Sequence, residues 1–256
     1  MAFVTSHPPG AFCWVELGTS DQAGAKAFYG GLFGWSFNDM DMGPEGVYTI
    51  CQLKGKDVAA CYKLNPQRQP GVPPYWGLYV SAANADASAR RATELGGQVL
   101  MGPFDVGDAG RMAILKDPTQ GVISIWQGNN NPGIGVHNEH GAFCWGQLNT
   151  SDTAAAQAYY SALFGWGAKT SGDGGMAYTE WTLAGTPIGG MMALPPGAPA
   201  PSHWLAYFAV DNCDAAAAKA KSLGAQECVP PTDIPGSGRF AVFTDPQGAF
   251  FAMYQG

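Results

Sequence analysis

Charge is scarce in this chain. Only 13% of its 256 residues are Asp, Glu, Lys or Arg, and 13 basic residues stand against 20 acidic ones, a formal net charge of −7. A surface that grips nucleic acid needs clustered Lys and Arg, so a nucleic-acid partner is excluded. No apolar run approaches the ~20 residues of a membrane-spanning helix. The opening MAFVTSHPPG lacks the basic start and apolar middle of a secretory signal. No membrane partner is therefore expected. The six cysteines, Cys13, Cys51, Cys61, Cys144, Cys213 and Cys228, form no C-x-x-C pair, which argues against a structural zinc or a dithiol motif. Isolated cysteines in a chain of this size usually serve as small apolar core residues, and a cytoplasmic location is expected. Hydrophobic residues make up 46% of the chain, enough for a sizeable core.

What is present is a duplication. GAFCWVELGTSDQAGAKAFYGGLFGW (10–35) and GAFCWGQLNTSDTAAAQAYYSALFGW (141–166) agree at 17 of 26 positions. DVGDAGRMAILKDPTQGVISIWQG (105–128) parallels DIPGSGRFAVFTDPQGAFFAMYQG (233–256), here read with one extra residue in the Asp-Pro turn of the first copy. Two homologous domains are expected, 1–130 and 138–256. The Gly- and Asn-rich stretch 131–137 between them reads as a linker open to protease.

Each half has the same internal order. Residues 12–17 read as a strand. Thr19, Ser20 and Asp21 offer N-cap side chains to a helix ending at Gly34, with Ala25, Phe28, Tyr29 and Leu32 on one face. VYTICQL (47–53) and VAACYKL (58–64) read as strands. After the Pro-rich break at 65–74 the pattern restarts with YWGLYV, a helix over 84–95 and strands near 98–101, 111–116 and 122–127. The second half repeats this, with its break at 195–201 and a helix over 214–223. The fold class is α+β, built from four strand–helix–three-strand units.

Paired units of this kind, with F-Y-x-x-L-F-G-W closing the first helix and D-P-x-G before the last strand, resemble the glyoxalase, bleomycin-resistance and extradiol-dioxygenase superfamily, the vicinal oxygen chelate proteins. The resemblance covers nearly the whole chain and is strongest to tandem two-domain glyoxalase-like proteins. It implies sheets paired into cupped cavities with helices outside. It also implies either a metal-dependent lyase, isomerase or dioxygenase, or a metal-free protein that binds small molecules. One fold hosts many chemistries, so the site residues must decide.

Strand alternation puts Phe12, Trp14 and Glu16 on one face and Cys13, Val15 and Leu17 on the other. Aligned through the helix motif, Trp14 and Trp145 fall where the resemblance implies a metal-binding His or Gln. Gly77 and Leu205 fall at the restart-strand ligand position, and Ile125 and Ala252 at the last-strand Glu. An indole N–H only donates and cannot ligate a cation. A divalent ion needs several converging N, O or S donors, so no metal and no cofactor are expected in either domain.

The expected ligand-binding residues are Trp14, Glu16, Trp76 and Arg111 in the first domain, and Trp145, Gln147, His203, Trp204 and Arg239 in the second. Trp14, Trp76, Trp145 and Trp204 would wall an apolar cavity; core packing is their other reading. Glu16 beside Trp14 is either an acid with a raised pKa or a partner for Arg111. Arg111 and Arg239 either clamp an anionic ligand or pair with Asp105 and Asp117, or Asp233 and Asp245. His203 is a polar rim residue or a ligand or base. His137 and His140 form H-x-x-H, but no helix is indicated there, so metal is not expected. The function expected is binding of a small apolar or aromatic molecule without the family metal. The alternative is a metal-dependent lyase or dioxygenase that recruits His203. A monomer is expected, because the duplication supplies in one chain the domain pairing that single-domain relatives make by dimerising.

Overall fold

The first domain begins with β1 (Phe12–Thr19) and α1 (Gln22–Phe33), as the repeat predicts. The Asp21 carboxylate caps α1 by accepting from the Gly24 N–H, and Gly34 ends it at φ 74°. β2 (Ser36–Asp41), β3 (Val47–Leu53) and β4 (Lys56–Lys63) follow, then β5 (Tyr75–Ser81), α2 (Ala85–Glu94), β6 (Gln98–Val106), β7 (Gly110–Lys116) and β8 (Val122–Gly128). The second domain repeats this as β9 (Phe143–Thr150), α3 (Thr153–Phe164), β10 (Gly167–Ser171), β11 (Tyr178–Leu183), β12 (Thr186–Ala193), β13 (His203–Ala209), α4 (Cys213–Ser222), β14 (Gln226–Ile234), β15 (Gly238–Thr244) and β16 (Phe250–Gln255). This computed structural model describes residues 4–67, 69–172, 177–195, 197 and 200–256. Parts of both Pro-rich breaks, residue 68 in the first and 196, 198 and 199 in the second, lie outside them.

Each domain is one eight-stranded sheet. The strand orders are β2-β3-β4-β1-β5-β8-β7-β6 and β10-β11-β12-β9-β13-β16-β15-β14. The α+β class and the four βαβββ units are therefore present. β2, which no periodicity flagged, is almost fully exposed along its length and so has no apolar face to announce it.

The face of each sheet that carries its helices packs against the other domain. Tyr29 on α1 donates to the Asp245 carboxylate at 3.0 Å, and Tyr160 on α3 donates to Asp117 at 2.6 Å. Trp76 and Trp204 donate in turn to the Tyr29 and Tyr160 hydroxyls, at 2.9 and 3.1 Å. The repeated motifs meet here. Trp35 donates to the Gly141 carbonyl at 2.8 Å, and Trp166 to the Gly10 carbonyl at 2.7 Å. Gly10 and Gly141 sit at φ 89° and 80°, and a Cβ on either would fall within 2.9 Å of the facing domain, so only glycine fits. The first residue of each GAFCW is thus held by the tryptophan that ends the other copy's helix motif.

The connector is not a free linker. Ile134 and Val136 are buried, at 0% and 2% exposure. The Ile134 N–H donates to the Cys13 carbonyl, and the Gly135 N–H to that of Asp57. His137 packs edge-on against His7 at 5.3 Å, and burial with the charge of His7 lowers its pKa to about 4. Protease access through 131–137, expected from composition, is opposed by this strap of backbone hydrogen bonds.

Candidate functional site: two concave sheet faces

The other face of each sheet, turned away from the helices, carries Trp14 and Glu16 in the first domain and Trp145 and Gln147 in the second. The register places Trp14 opposite Tyr79 and Glu16 opposite Gly77 on β5, with Ala60 and Tyr62 of β4 beside Glu16 and Gly18. The ladder shifts between Phe12 and Trp14, a β-bulge that turns Phe12 to the opposite face. Phe12 does not join Trp14 and Glu16, as strict alternation implied. It lies 5.7 Å from Phe143 and 5.4 Å from Trp166, inside the domain interface.

In this first cup the Glu16 carboxylate accepts from Tyr79 at 2.6 Å and from Tyr48 at 2.9 Å, and the Trp14 indole donates to the Tyr48 oxygen at 3.2 Å. Tyr62 and Tyr75 share a hydrogen bond at 2.9 Å nearby. Burial raises the Glu16 pKa, opposed by the two phenol hydrogen bonds, and it raises the pKa of all four tyrosines. A cavity of about 310 Å³ adjoins this floor. Glu16, Tyr75, Trp76, Gly77, Ile114, Val122 and Ser124 of the first domain line it together with Ser202, His203 and Trp204 of the second. It lies where β5 and β8 are paired only from Tyr79↔Ser124 to Ser81↔Trp126.

Four of the expected residues, Glu16, Trp76, His203 and Trp204, thus meet at one cavity. Trp76 and Trp204 reach it from the interface side. They are 4% and 7% exposed and are tied to Tyr29 and Tyr160. Trp14 is on the concave face but only 6% exposed, whereas Trp145 keeps more exposed surface. Arg111 and Arg239 are elsewhere. Arg111 forks onto Asp86 at 2.8 and 3.0 Å and reaches Asp105 at 3.0 Å; Arg239 does the same with Asp214 and Asp233. Both tie a helix start to an outer strand on the helix face, so neither clamps a ligand in a cup. Asp117 and Asp245 instead take tyrosine hydroxyls and backbone N–H groups of their own turns.

The second cup is built differently. Gln147 faces Leu205, and its amide oxygen accepts from Tyr207 at 3.0 Å and Tyr178 at 3.3 Å. Its nitrogen donates to Asn149 at 2.9 Å, and Asn149 lies 3.2 Å from His203 Nε2. The Pro201 carbonyl, 2.9 Å from Nδ1, can only accept, so His203 carries a proton on that nitrogen. Leu205, Tyr207, Val242 and Ala252 close over one another as a separate apolar cluster.

The last-strand position of the first cup is held by Ser124. Tyr207 faces Ala252, and the matching Tyr79 faces Ser124, not Ile125. Ile125 is fully buried on the helix side. The extra residue read into the first Asp-Pro turn does not exist. Gln120 takes the positive-φ place at 83° that Gly248 takes at 100°, so the two turns align without a gap. The cup tyrosines, Tyr48, Tyr62, Tyr79, Tyr178 and Tyr207, were missed as site residues. Each alternates onto the face of Trp14 or Trp145, so pairing the strands would have found them.

The model of the Glyoxalase/Bleomycin resistance protein/Dioxygenase superfamily matches residues 12–124 and 142–253. The chain belongs to this family. CFP32 of Mycobacterium tuberculosis (strain CDC 1551 / Oshkosh), provisionally named a glyoxylase, is 42% identical over 94% of this chain and 92% of its own. The anthracycline biosynthesis protein DnrV of Streptomyces peucetius is 34% identical over 98% and 95%. Among solved structures, the Mn(II)-bound glyoxalase from Novosphingobium aromaticivorans covers 96% of this chain and 82% of its own at TM-score 0.67 and 14% identity. The 2,2',3-trihydroxybiphenyl 1,2-dioxygenase of Sphingomonas wittichii strain RW1 covers 97% and 91% at TM-score 0.68 and 12% identity. These distant structures share the fold. The superfamily metal requires converging donors, and the concave positions here are Trp14, Glu16, Gly77, Tyr79 and Ser124, or Trp145, Gln147, Leu205, Tyr207 and Ala252. Among the described residues no three His, Cys, Asp or Glu side chains converge, so this donor set does not fit the family metal. No helix among the described residues is long and apolar enough to cross a membrane.

Proposed function

We propose that the protein is a small-molecule-binding member of its superfamily, taking an apolar or aromatic ligand in the first cup without the family metal. The observation that carries this is the cavity of about 310 Å³ over Glu16, Tyr75 and Gly77, walled by Ile114 and Val122. Concave apolar sites with a few placed polar groups are the common form of small-molecule pockets. The exposed Met101 and Phe104 extend the apolar wall along β6, their register partners Ile114 and Met112 lying on the same face. A relative named for anthracycline biosynthesis supports a small organic ligand. We place the protein in the cytoplasm, as a monomer whose domains pair with each other.

The other reading, a metal-dependent lyase or dioxygenase, needs ligands that the described cup residues do not provide. Metal analysis of untagged protein separates the two. Less than one equivalent of Ni, Zn, Fe or Mn is expected, with no change of melting temperature in EDTA. A stoichiometric metal, or a clear EDTA-induced loss of stability, overturns the metal-free reading.

A further inference from the structure

Building on small-molecule binding in the first cup, we propose that Glu16 and the aromatic rings around it form a receptor for an organic ammonium group carried on an apolar body. Glu16 is acidic and set into a cup floor, and the bonds made to it come from two neutral phenols, Tyr48 and Tyr79. Among the described residues no basic side chain bonds to it. Arg111, the partner expected from sequence, is held on the other face of the sheet by Asp86 and Asp105. Buried carboxylates are ordinarily paired with a cation or another strong donor set.

The second domain shows that the charge is not needed to hold the tyrosines. Gln147 occupies the same place and accepts from Tyr178 and Tyr207 through a neutral amide. The negative charge at Glu16 is thus surplus to the hydrogen-bond framework that both copies share. The cavity beside Glu16 is also lined by the aromatic rings of Tyr75, Trp76 and Trp204, a residue class whose π systems attract cations. Across the ladder stands Gly77, the position filled by Leu205 in the other cup, and the cavity reaches both Glu16 and Gly77. A carboxylate, aromatic lining and open space form a site for a cation with hydrocarbon attached.

The test titrates the full chain with benzyltrimethylammonium and, separately, with benzyl alcohol, a neutral aromatic probe. The cation is expected to bind at least about tenfold more tightly than the alcohol, and Glu16→Gln is expected to abolish that preference while still binding the alcohol. Gln147 is the precedent for such a variant folding. A second measurement needs no variant. Cation affinity should rise with pH as Glu16 ionises, while alcohol affinity stays level. The titratable groups facing Glu16 are Tyr48 on β3, Tyr62 on β4 and Tyr75 and Tyr79 on β5, all raised above their ordinary range; His203 at the far wall is controlled by His203→Gln. Equal affinity for the two probes, a preference that survives Glu16→Gln, or a level pH profile for the cation overturns the ammonium receptor and leaves small-molecule binding standing. If neither probe binds, both readings fall.

Discussion

In the first domain Glu16 faces Gly77 across the ladder between β1 and β5; in the second Gln147 faces Leu205 across the matching ladder. Around these pairs the Trp–Tyr–Tyr framework is the same in both copies. Trp14 and Trp145 each donate to a tyrosine on the next-but-one strand, Tyr48 or Tyr178, and Tyr79 and Tyr207 each donate to the central residue. These two substitutions, with Ser124 replaced by Ala252 and Tyr75 by His203 beside them, separate an open, acidic cup from a filled, neutral one. A duplicated fold does not imply a duplicated site. The framework is carried by residues that agree, and the site by the few that do not.

The comparison can be broken most strongly at Leu205. It is 5% exposed within the second cup's own apolar cluster, so Leu205→Ala should cost about 2–5 kcal/mol in chemical denaturation. A loss below about 1 kcal/mol would mean that the second cup is not filled by this side chain.

The tyrosine hydroxyls sharpen the charge difference. Tyr79 donates to a carboxylate and Tyr207 to an amide. Hydrogen bonds to charged groups contribute about 1.5–3 kcal/mol and neutral ones about 0.5–1.5, so Tyr79→Phe should destabilise more than Tyr207→Phe. Equal losses in paired denaturation curves would mark Glu16 as a neutral acid in the free protein.

Filling the first cup is the converse change. A Cβ on Gly77 would lie 3.4 Å from the Tyr75 ring and 3.8 Å from Glu16, so the site accepts a side chain pointing into the cavity. Gly77→Leu should weaken benzyl alcohol binding by about tenfold, or 1.4 kcal/mol, by titration calorimetry, with a native far-UV spectrum. Unchanged affinity would move the ligand away from Gly77.

The smallest effect is on pH dependence. Burial raises the Glu16 pKa above its ordinary 4.5, so the folded state holds this proton more tightly than the unfolded chain. The stabilisation linked to that proton is fully present below pH 4.5 and is lost as pH rises through the folded-state pKa. The stability of the native protein relative to Glu16→Gln should therefore fall with rising pH over that window, measured as denaturation midpoints. A difference that rises with pH would reverse the assigned shift.

Much of this was legible because a repeat is an internal control. The strand–helix–three-strand unit, the Asp21 and Gly34 helix boundaries and the α+β class follow from caps and periodicity that occur twice. The errors arose where backbone geometry departs from side-chain pattern. The bulge ahead of Trp14 turns Phe12 into the interface, and nothing in FCWVEL marks it. Gln120 adopts a conformation usually left to glycine, so matching glycines across the two Asp-Pro turns slipped the register by one and put Ile125 where Ser124 stands. The connector reads as free because Gly and Asn dominate it, yet Ile134 and Val136 anchor it. The partners of Arg111 and Arg239 depend on which sheet face they occupy, and this emerges only when strands are placed in order.

The crossed pairs Tyr29–Asp245 and Tyr160–Asp117 have a consequence for heredity. They give the interface the self-complementary form of a two-fold dimer, in which each patch meets its own likeness. In a dimer of identical subunits, one codon writes both sites, and every mutation in a pocket is made twice. Fused into one gene, the halves keep the shared interface under common constraint while each pocket gains a separate address. One copy can then turn its pocket into packing without removing the other's. Differences such as Glu16 against Gln147 and Gly77 against Leu205 are ones that a dimer of identical subunits could not carry.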